Sequence, residues 1–208
     1  IENGLKFHVD WLKGQKTGFF VDQRENRALL EHFSKGRNVL NMFCYTGGFS
    51  FYAMRGGANI VHSVDSSAKA IDLTNKNVEL NFPGDPRHNA YAEDAFKYLD
   101  KMGDQYDLII LDPPAFAKHK DALRNALRGY TKLNAKALEK IKPGGILFTF
   151  SCSQVVSKEN FRNAVFTAAA QSGRSVKILH QLTQPGDHPI NIYHPEGEYL
   201  KGLVLYVE

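Results

Sequence analysis

Tyr106-Asp107-Leu108-Ile109-Ile110-Leu111-Asp112-Pro113-Pro114 is an apolar run that closes on an acid and two prolines. A second run, Gly145-Ile146-Leu147-Phe148-Thr149-Phe150, closes on Ser151-Cys152-Ser153. Both runs are short, continuous, rich in strand formers and bounded by turn formers, as strands buried on both faces are. Such strands belong to parallel sheets with helices on each side. Open sheets of that kind place their ligands just beyond the carboxyl ends of the strands. An acid, a Pro pair and a thiol are therefore expected to converge on one cleft.

Outward from these runs, strand and helix alternate. Strands are expected at 38–43, 59–64, 87–91, 106–111, 145–150, 175–182 and 202–207, and helices at 23–34, 48–56, 67–81, 94–102, 120–141 and 157–172. The fold class is α/β: a doubly wound, mostly parallel, seven-stranded Rossmann-like sheet. No helix separates the last two strands, so they should pair antiparallel at one edge. The opening Leu5-Lys6-Phe7-His8-Val9-Asp10-Trp11 alternates apolar and polar residues at period two, which reads as a half-exposed antiparallel strand. Gly14 and Gly18 punctuate a basic connection after it. Residues 1–22 are expected to end a short N-terminal β-region and linker, and 23–208 to form one domain. Loop 183–201 is long and rich in Pro, Gly and His, and loops of that length are commonly functional or disordered.

The chain has 208 residues, is 43% hydrophobic and carries a formal charge of +4. That suffices for one sizeable core and suits an anionic partner without demanding one. Cys44 and Cys152 form neither a metal-binding spacing nor a disulfide framework, so a reduced, cytoplasmic compartment is the default. No apolar run reaches membrane-spanning length, and no membrane partner is expected. The chain starts at Ile1, directly in a strand-like segment, and is expected to be a piece of a longer protein.

The strand at 38–43 runs into Cys44-Tyr45-Thr46-Gly47-Gly48-Phe49, where glycines permit a tight turn and close approach of a ligand. Asp65 ends the next strand, where an acid can hold both hydroxyls of a ribose. Structural turn glycines would look the same, and the full dinucleotide fingerprint is absent. The combination indicates a nucleoside-type cofactor. In Ala92-Glu93-Asp94-Ala95, Asp94 can either accept a hydrogen bond from an adenine amino group or cap the following helix.

Four motifs occur in register: Thr17-Gly18-Phe19-Phe20-Val21-Asp22-Gln23-Arg24-Glu25-Asn26-Arg27, Asn41-Met42-Phe43-Cys44-Tyr45-Thr46-Gly47-Gly48-Phe49-Ser50, Leu111-Asp112-Pro113-Pro114 and Ser151-Cys152-Ser153. The pattern resembles class I S-adenosylmethionine-dependent methyltransferases. Within them it is similar to the PUA-linked large-subunit rRNA cytosine-C5 methyltransferases. The resemblance extends to Asp187-His188-Pro189 and to Pro195-Glu196-Gly197-Glu198-Tyr199-Leu200-Lys201-Gly202. It implies S-adenosyl-L-methionine as cofactor, RNA (large-subunit rRNA) as partner and a PUA domain upstream; a homodimer is a further expectation. It also implies cofactor contacts from Phe20, Gln23, Arg24, Asn41, Phe43, Tyr45, Gly47, Asp65, Asp94, Ala95, Asp112 and Pro113. Phe20, Gln23 and Arg24 could equally form a structural clasp onto the sheet.

Cytosine C5 is too weak a nucleophile to take a methyl group unaided. A thiolate adding to C6 makes the ring an enamine, and a carboxyl group at N3 stabilises the adduct. Cys152 is the expected nucleophile and Asp112 the expected N3 partner; the base that removes the C5 proton is not legible. Ala115 stands where many RNA cytosine-C5 enzymes carry a second Cys. Two rival readings remain. One is guanine-N7 or amino-group N-methylation, which uses an Asp-Pro-Pro loop without a nucleophile. The other is a non-catalytic RNA-binding module that keeps the fold.

Arg124, Arg128, Lys132, Lys136 and Lys140 recur every four residues opposite Leu127, Tyr130, Leu133, Ala137, Leu138 and Ile141. A basic row binds phosphate, although most such rows are simply solvated helix faces. Lys118, His119, Lys120 and Arg124 lie nearest the Asp-Pro-Pro loop and are the better RNA candidates. Phe116 could stack on a base drawn out of its helix or anchor the loop.

Overall fold

The computed structural model describes residues 1–12, 14, 15 and 17–208. The strands are β1 (Asn38–Met42), β2 (Ile60–Asp65), β3 (His88–Ala92), β4 (Leu108–Leu111), β5 (Gly145–Ser151), β6 (Val176–Leu182) and β7 (Lys201–Val207). They form a seven-stranded sheet of order β3-β2-β1-β4-β5-β7-β6. The helices are α1 (Arg24–Phe33), α2 (Gly48–Arg55), α3 (Ala68–Asn81), α4 (Ala95–Lys101), α5 (Leu123–Lys140) and α6 (Lys158–Ser172). The chain divides into two compact units, Ile1–Ala95 and Phe96–Glu208. Among the described residues, no helix is long and apolar enough to cross a membrane.

In the first unit, β1, β2 and β3 run parallel, with Val39 opposite Val61 and Val61 opposite His88. Ser67 starts α3 by accepting a hydrogen bond from the Ala70 N–H, a cap that contributes about 1 kcal/mol. In the second unit, β4 and β5 pair in parallel, and every residue of both is buried. β7 pairs antiparallel with β5, and β6 with β7, which forms the antiparallel edge expected from the missing helix. Ser157 caps α6, and Gly173, at φ +67°, ends it. Arg174 then donates to the Leu138 and Ile141 carbonyls at 3.1 and 3.0 Å, where a cation suits the C-terminal end of α5.

Two expectations need correction. Residues 5–11 do not form a strand; the N-terminal segment contains only an antiparallel bridge between Glu2 and Leu5. The Lys6 and His8 N–H groups donate to Asn81 and Asn77 on α3, at 2.8 and 2.6 Å. Side-chain amides thus satisfy the backbone that a neighbouring strand would otherwise have to satisfy. The period-two pattern marks an extended chain with Phe7 turned in against Phe19 and Phe51, while Trp11 stays exposed. Glu2 anchors this segment through a buried two-point ion pair with Arg27, at 2.7 and 2.8 Å. The second correction is that residues 120–122 are a 3-10 turn, so the long helix starts at Leu123. Lys13 and Lys16, part of the expected basic connection, lie outside the described residues.

A polar chain crosses the interior of the first unit. Asn41 donates to Ser50 at 2.9 Å, Ser50 and Ser63 share a hydrogen bond of 2.7 Å, and Ser63 meets His88 Nε2 at 2.8 Å. Burial, and secondarily the charge of His62, push His88 from 6.5 down to about 4. The folded protein therefore holds His88 neutral while the unfolded chain protonates it. Stability present above pH 6.5 should be lost as pH falls from about 6.5 through 4, by about 1–3 kcal/mol. Urea unfolding at pH 7 and pH 4.5 checks this. His88→Gln should lose less between the two than wild type; an equal loss would remove His88 as the cause.

Candidate active site

In the first unit the site is the turn between β1 and α2. Phe43 and Tyr45 are non-glycine residues with left-handed backbones, at φ 58° and 49°, and Gly47 follows at φ 86°. Gly47 is required twice over, since a Cβ there would lie 2.6 Å from Phe51 and 2.8 Å from Thr74. Strained non-glycine backbone persists only where its surroundings over-determine it. Here the Asp65 carboxylate accepts from the Tyr45 N–H at 3.0 Å and from the Ser67 N–H at 2.9 Å. Thr74 donates to the Tyr45 carbonyl at 2.9 Å, and Asn77 to the Thr46 carbonyl at 3.3 Å. Phe20 packs edge-on against Tyr45, with ring centroids 5.5 Å apart.

These contacts bring Phe20, Phe43, Tyr45, Gly47 and Asp65 together. Asn41 lies beneath them, and its buried carboxamide oxygen has no hydrogen-bond partner among the described residues. Gln23 and Arg24 are placed differently. Gln23 is buried and accepts from Asn26 at 2.7 Å; Arg24 pairs with its neighbour Glu25 and faces a groove lined by Phe7, Val9 and Phe19. Asp94 is exposed and Ala95 buried where α4 begins. Sequence reasoning missed Thr74 and Asn77. Their signal was two polar residues on the inner face of α3, among Ala70, Ile71 and Val78.

In the second unit the site is built from the loops after β4 and β5. Asp112 is half-buried and Pro113 buried. Ser151 Oγ donates to the Tyr130 hydroxyl on α5 at 2.9 Å, and Ser153 Oγ to the Ala117 carbonyl at 2.6 Å. Lys201 Nζ donates to the Ser153 carbonyl at 2.6 Å. Both serines flanking Cys152 are thus turned inward and tied, while Cys152 stays half-exposed with Sγ 4.0 Å from the Pro113 carbonyl. Burial pushes the Tyr130 hydroxyl up to about 12, and charge on Cys152 and Asp112 adds to the shift. Phe116 lies 4.6 Å from the Tyr130 ring and against Gly129, the position of a loop anchor.

The two thiols differ sharply. Cys44 is buried, and desolvation, reinforced by the Asp65 charge, pushes its thiol far above the ordinary range. Only the thiolate is nucleophilic, so burial makes Cys44 the weaker of the two candidate nucleophiles.

The family described as S-adenosylmethionine-dependent methyltransferase matches residues 1–200. The chain belongs to this family. It is 46% identical over 209 residues to ribosomal RNA large subunit methyltransferase I of Shewanella denitrificans, covering 99% of this chain and 53% of that protein. It is 47% identical over 206 residues to the protein of the same name from Tolumonas auensis, covering 98% and 52%. The chain thus spans about half the length of these curated relatives. Among solved structures it is similar to SMU.776, described as a methyltransferase and complexed with SAH: 28% identity, TM-score 0.88, covering 100% of this chain and 55% of that one. Trm5b from Pyrococcus abyssi, 18% identical with a TM-score of 0.74, shares the fold.

The residues at the turn between β1 and α2 fit the cofactor of the family. The buried Asn41 oxygen, without a hydrogen-bond partner among the described residues, is a spare acceptor beneath the turn. Beyond its two backbone bonds the Asp65 carboxylate has lone pairs left over, as a ribose contact would need. Asp65→Ala should weaken S-adenosylmethionine binding by about 1–3 kcal/mol, the range for losing a charged hydrogen-bond partner. Calorimetry measures this, with circular dichroism to confirm folding. Wild-type affinity in a folded Asp65→Ala protein would refute the assignment.

Proposed function

We propose that this methyltransferase forms 5-methylcytosine in large-subunit rRNA through a covalent adduct on Cys152. The observation that carries the reading is the contrast between the thiols. Cys152 is half-exposed against the Pro113 carbonyl, its neighbours tied away from it, whereas Cys44 is sealed. An N-methyltransferase has no use for a presented thiol at that point.

In this reading, Asp65, the turn from Phe43 to Gly47 and the Asn41 carboxamide hold the cofactor. Phe20, Gln23, Arg24, Asp94, Ala95 and Pro113 remain proposed contacts, on the family resemblance. Bound S-adenosylmethionine supplies a methyl group made electrophilic by its sulfonium. Cys152 adds as thiolate to C6 of the cytosine, forming a C–S bond and raising electron density at C5. Asp112 hydrogen-bonds at N3, where the adduct gathers charge. Once C5 is methylated, a base takes its proton and the electron pair expels the Cys152 thiolate, restoring the aromatic ring. The Pro pair fixes the loop and presents carbonyls without competing N–H donors.

Not every residue of the basic row is available to RNA. Lys136 is ion-paired with Asp100, and Lys132 sits 5.5 Å over the Phe96 ring. Lys118, His119, Lys120 and Arg124 are exposed. We assign phosphate contact to these four, which makes binding salt-dependent.

RNA carrying 5-fluorocytosine at the target should trap the enzyme, because fluorine at C5 cannot leave as a proton. Cys152→Ala should abolish both the adduct and turnover, Cys44→Ala should still form the adduct, and Asp112→Asn should keep fold and cofactor but lose most turnover. Denaturing electrophoresis and mass mapping read the adduct. Undiminished methylation by Cys152→Ala would overturn the cytosine-C5 reading in favour of N-methylation.

A further inference from the structure

Lys201 opens β7, and the rest of that strand, Gly202–Val207, carries no charge. Its register sets it opposite Ser151, the residue before Cys152. Only 4% of Lys201 is exposed, and its Nζ donates to the carbonyl of Ser153, the residue after Cys152. A buried cation therefore sits over the three-residue segment that carries the thiol.

Lysine is almost never buried this far without a charge partner. One carbonyl occupies one of its three N–H donors and leaves the charge uncompensated. The charges that bear on it are those of Cys152, Glu198 and Lys158. Glu198 is already ion-paired with Lys158 at the head of α6, so these two largely offset each other. On α5, Tyr130 feels the charges of both Cys152 and Asp112. Burial keeps Tyr130 neutral at ordinary pH. Cys152 is then the group whose ionisation compensates the buried ammonium.

We propose that Lys201 is a positioning residue for Cys152: its ammonium holds the thiol as thiolate, and the same Nζ fixes the loop through the Ser153 carbonyl. The inference rests on the reading of Cys152 as nucleophile. The only bond broken is S–H, and the proton leaves to solvent. Burial pushes Lys201 down to about 8, while attraction to Cys152 pulls it back up. The support is therefore present at neutral pH and fades as pH rises through about 8.

The pH dependence of Cys152 alkylation by iodoacetamide, read by peptide mass mapping, tests this in the chain itself. Lys201→Gln keeps an N–H donor and loses the charge; Lys201→Arg keeps the charge. Wild type should show a half-point below about 8.5, the value of an ordinary thiol. Lys201→Gln should raise the half-point by about one unit, making alkylation at pH 7 about tenfold slower, and Lys201→Arg should restore it. A half-point in wild type at or above that of an ordinary thiol overturns the proposal, even if Lys201→Gln fails to fold. So does an unmoved profile in a folded Lys201→Gln protein. A lowered half-point that Lys201→Gln raises, with no 5-fluorocytosine adduct in wild type, would leave Lys201 in place and remove Cys152 from the methylation chemistry.

Discussion

Burial of β4 and β5 on both faces is the constraint from which the rest follows. A strand covered on each side by apolar packing has little room for polar side chains: β4 carries none, and β5 only Thr149 and Ser151 toward its carboxyl end. Each fully buried Leu, Ile or Phe there contributes about 1.5–3 kcal/mol, and a polar group in its place would cost a comparable amount unless bonded. Polar and reactive residues are thereby pushed to the carboxyl ends. Asp112 and Cys152 are the first residues beyond the two strands that can hold such chemistry.

The same constraint explains the tying of the loops. Ser151 and Ser153 are themselves buried, so each hydroxyl must be bonded, and each reaches a different part of the unit: Tyr130 on α5 and the Ala117 carbonyl. Fixing both neighbours fixes the backbone of Cys152 without using its side chain. The thiol is half-exposed against the Pro113 carbonyl because both flanking serines are turned inward.

In the first unit, satisfaction of backbone groups does the equivalent work. The turn from Phe43 to Gly47 takes three left-handed residues, two of them non-glycine. It persists because Asp65, Thr74 and Asn77 each bond its backbone. Asp65 therefore carries a structural load beside any ribose contact, and α3 is a support for the turn as well as a cover for the sheet.

Strand and helix periodicity, caps and turn formers by themselves determined the alternation, the parallel sheet, its antiparallel edge and the positions of Asp65, Asp112 and Cys152 at strand ends. These are local signals, since period and side-chain type depend on neighbours in the chain. The N-terminal segment shows their limit: period two reports an extended backbone, but only a partner decides whether it joins a sheet, and here Asn77 and Asn81 took that place. The sequence set Cys152 at a strand end and offered loop anchoring as one of two roles for Phe116, but the sealing of Cys44, the choice of Tyr130 as the anchor and the burial of Lys201 over the Cys152 loop were not legible in it. Burial and charge proximity arise between residues far apart in sequence, so only the tertiary structure could decide which thiol is sealed and which is presented.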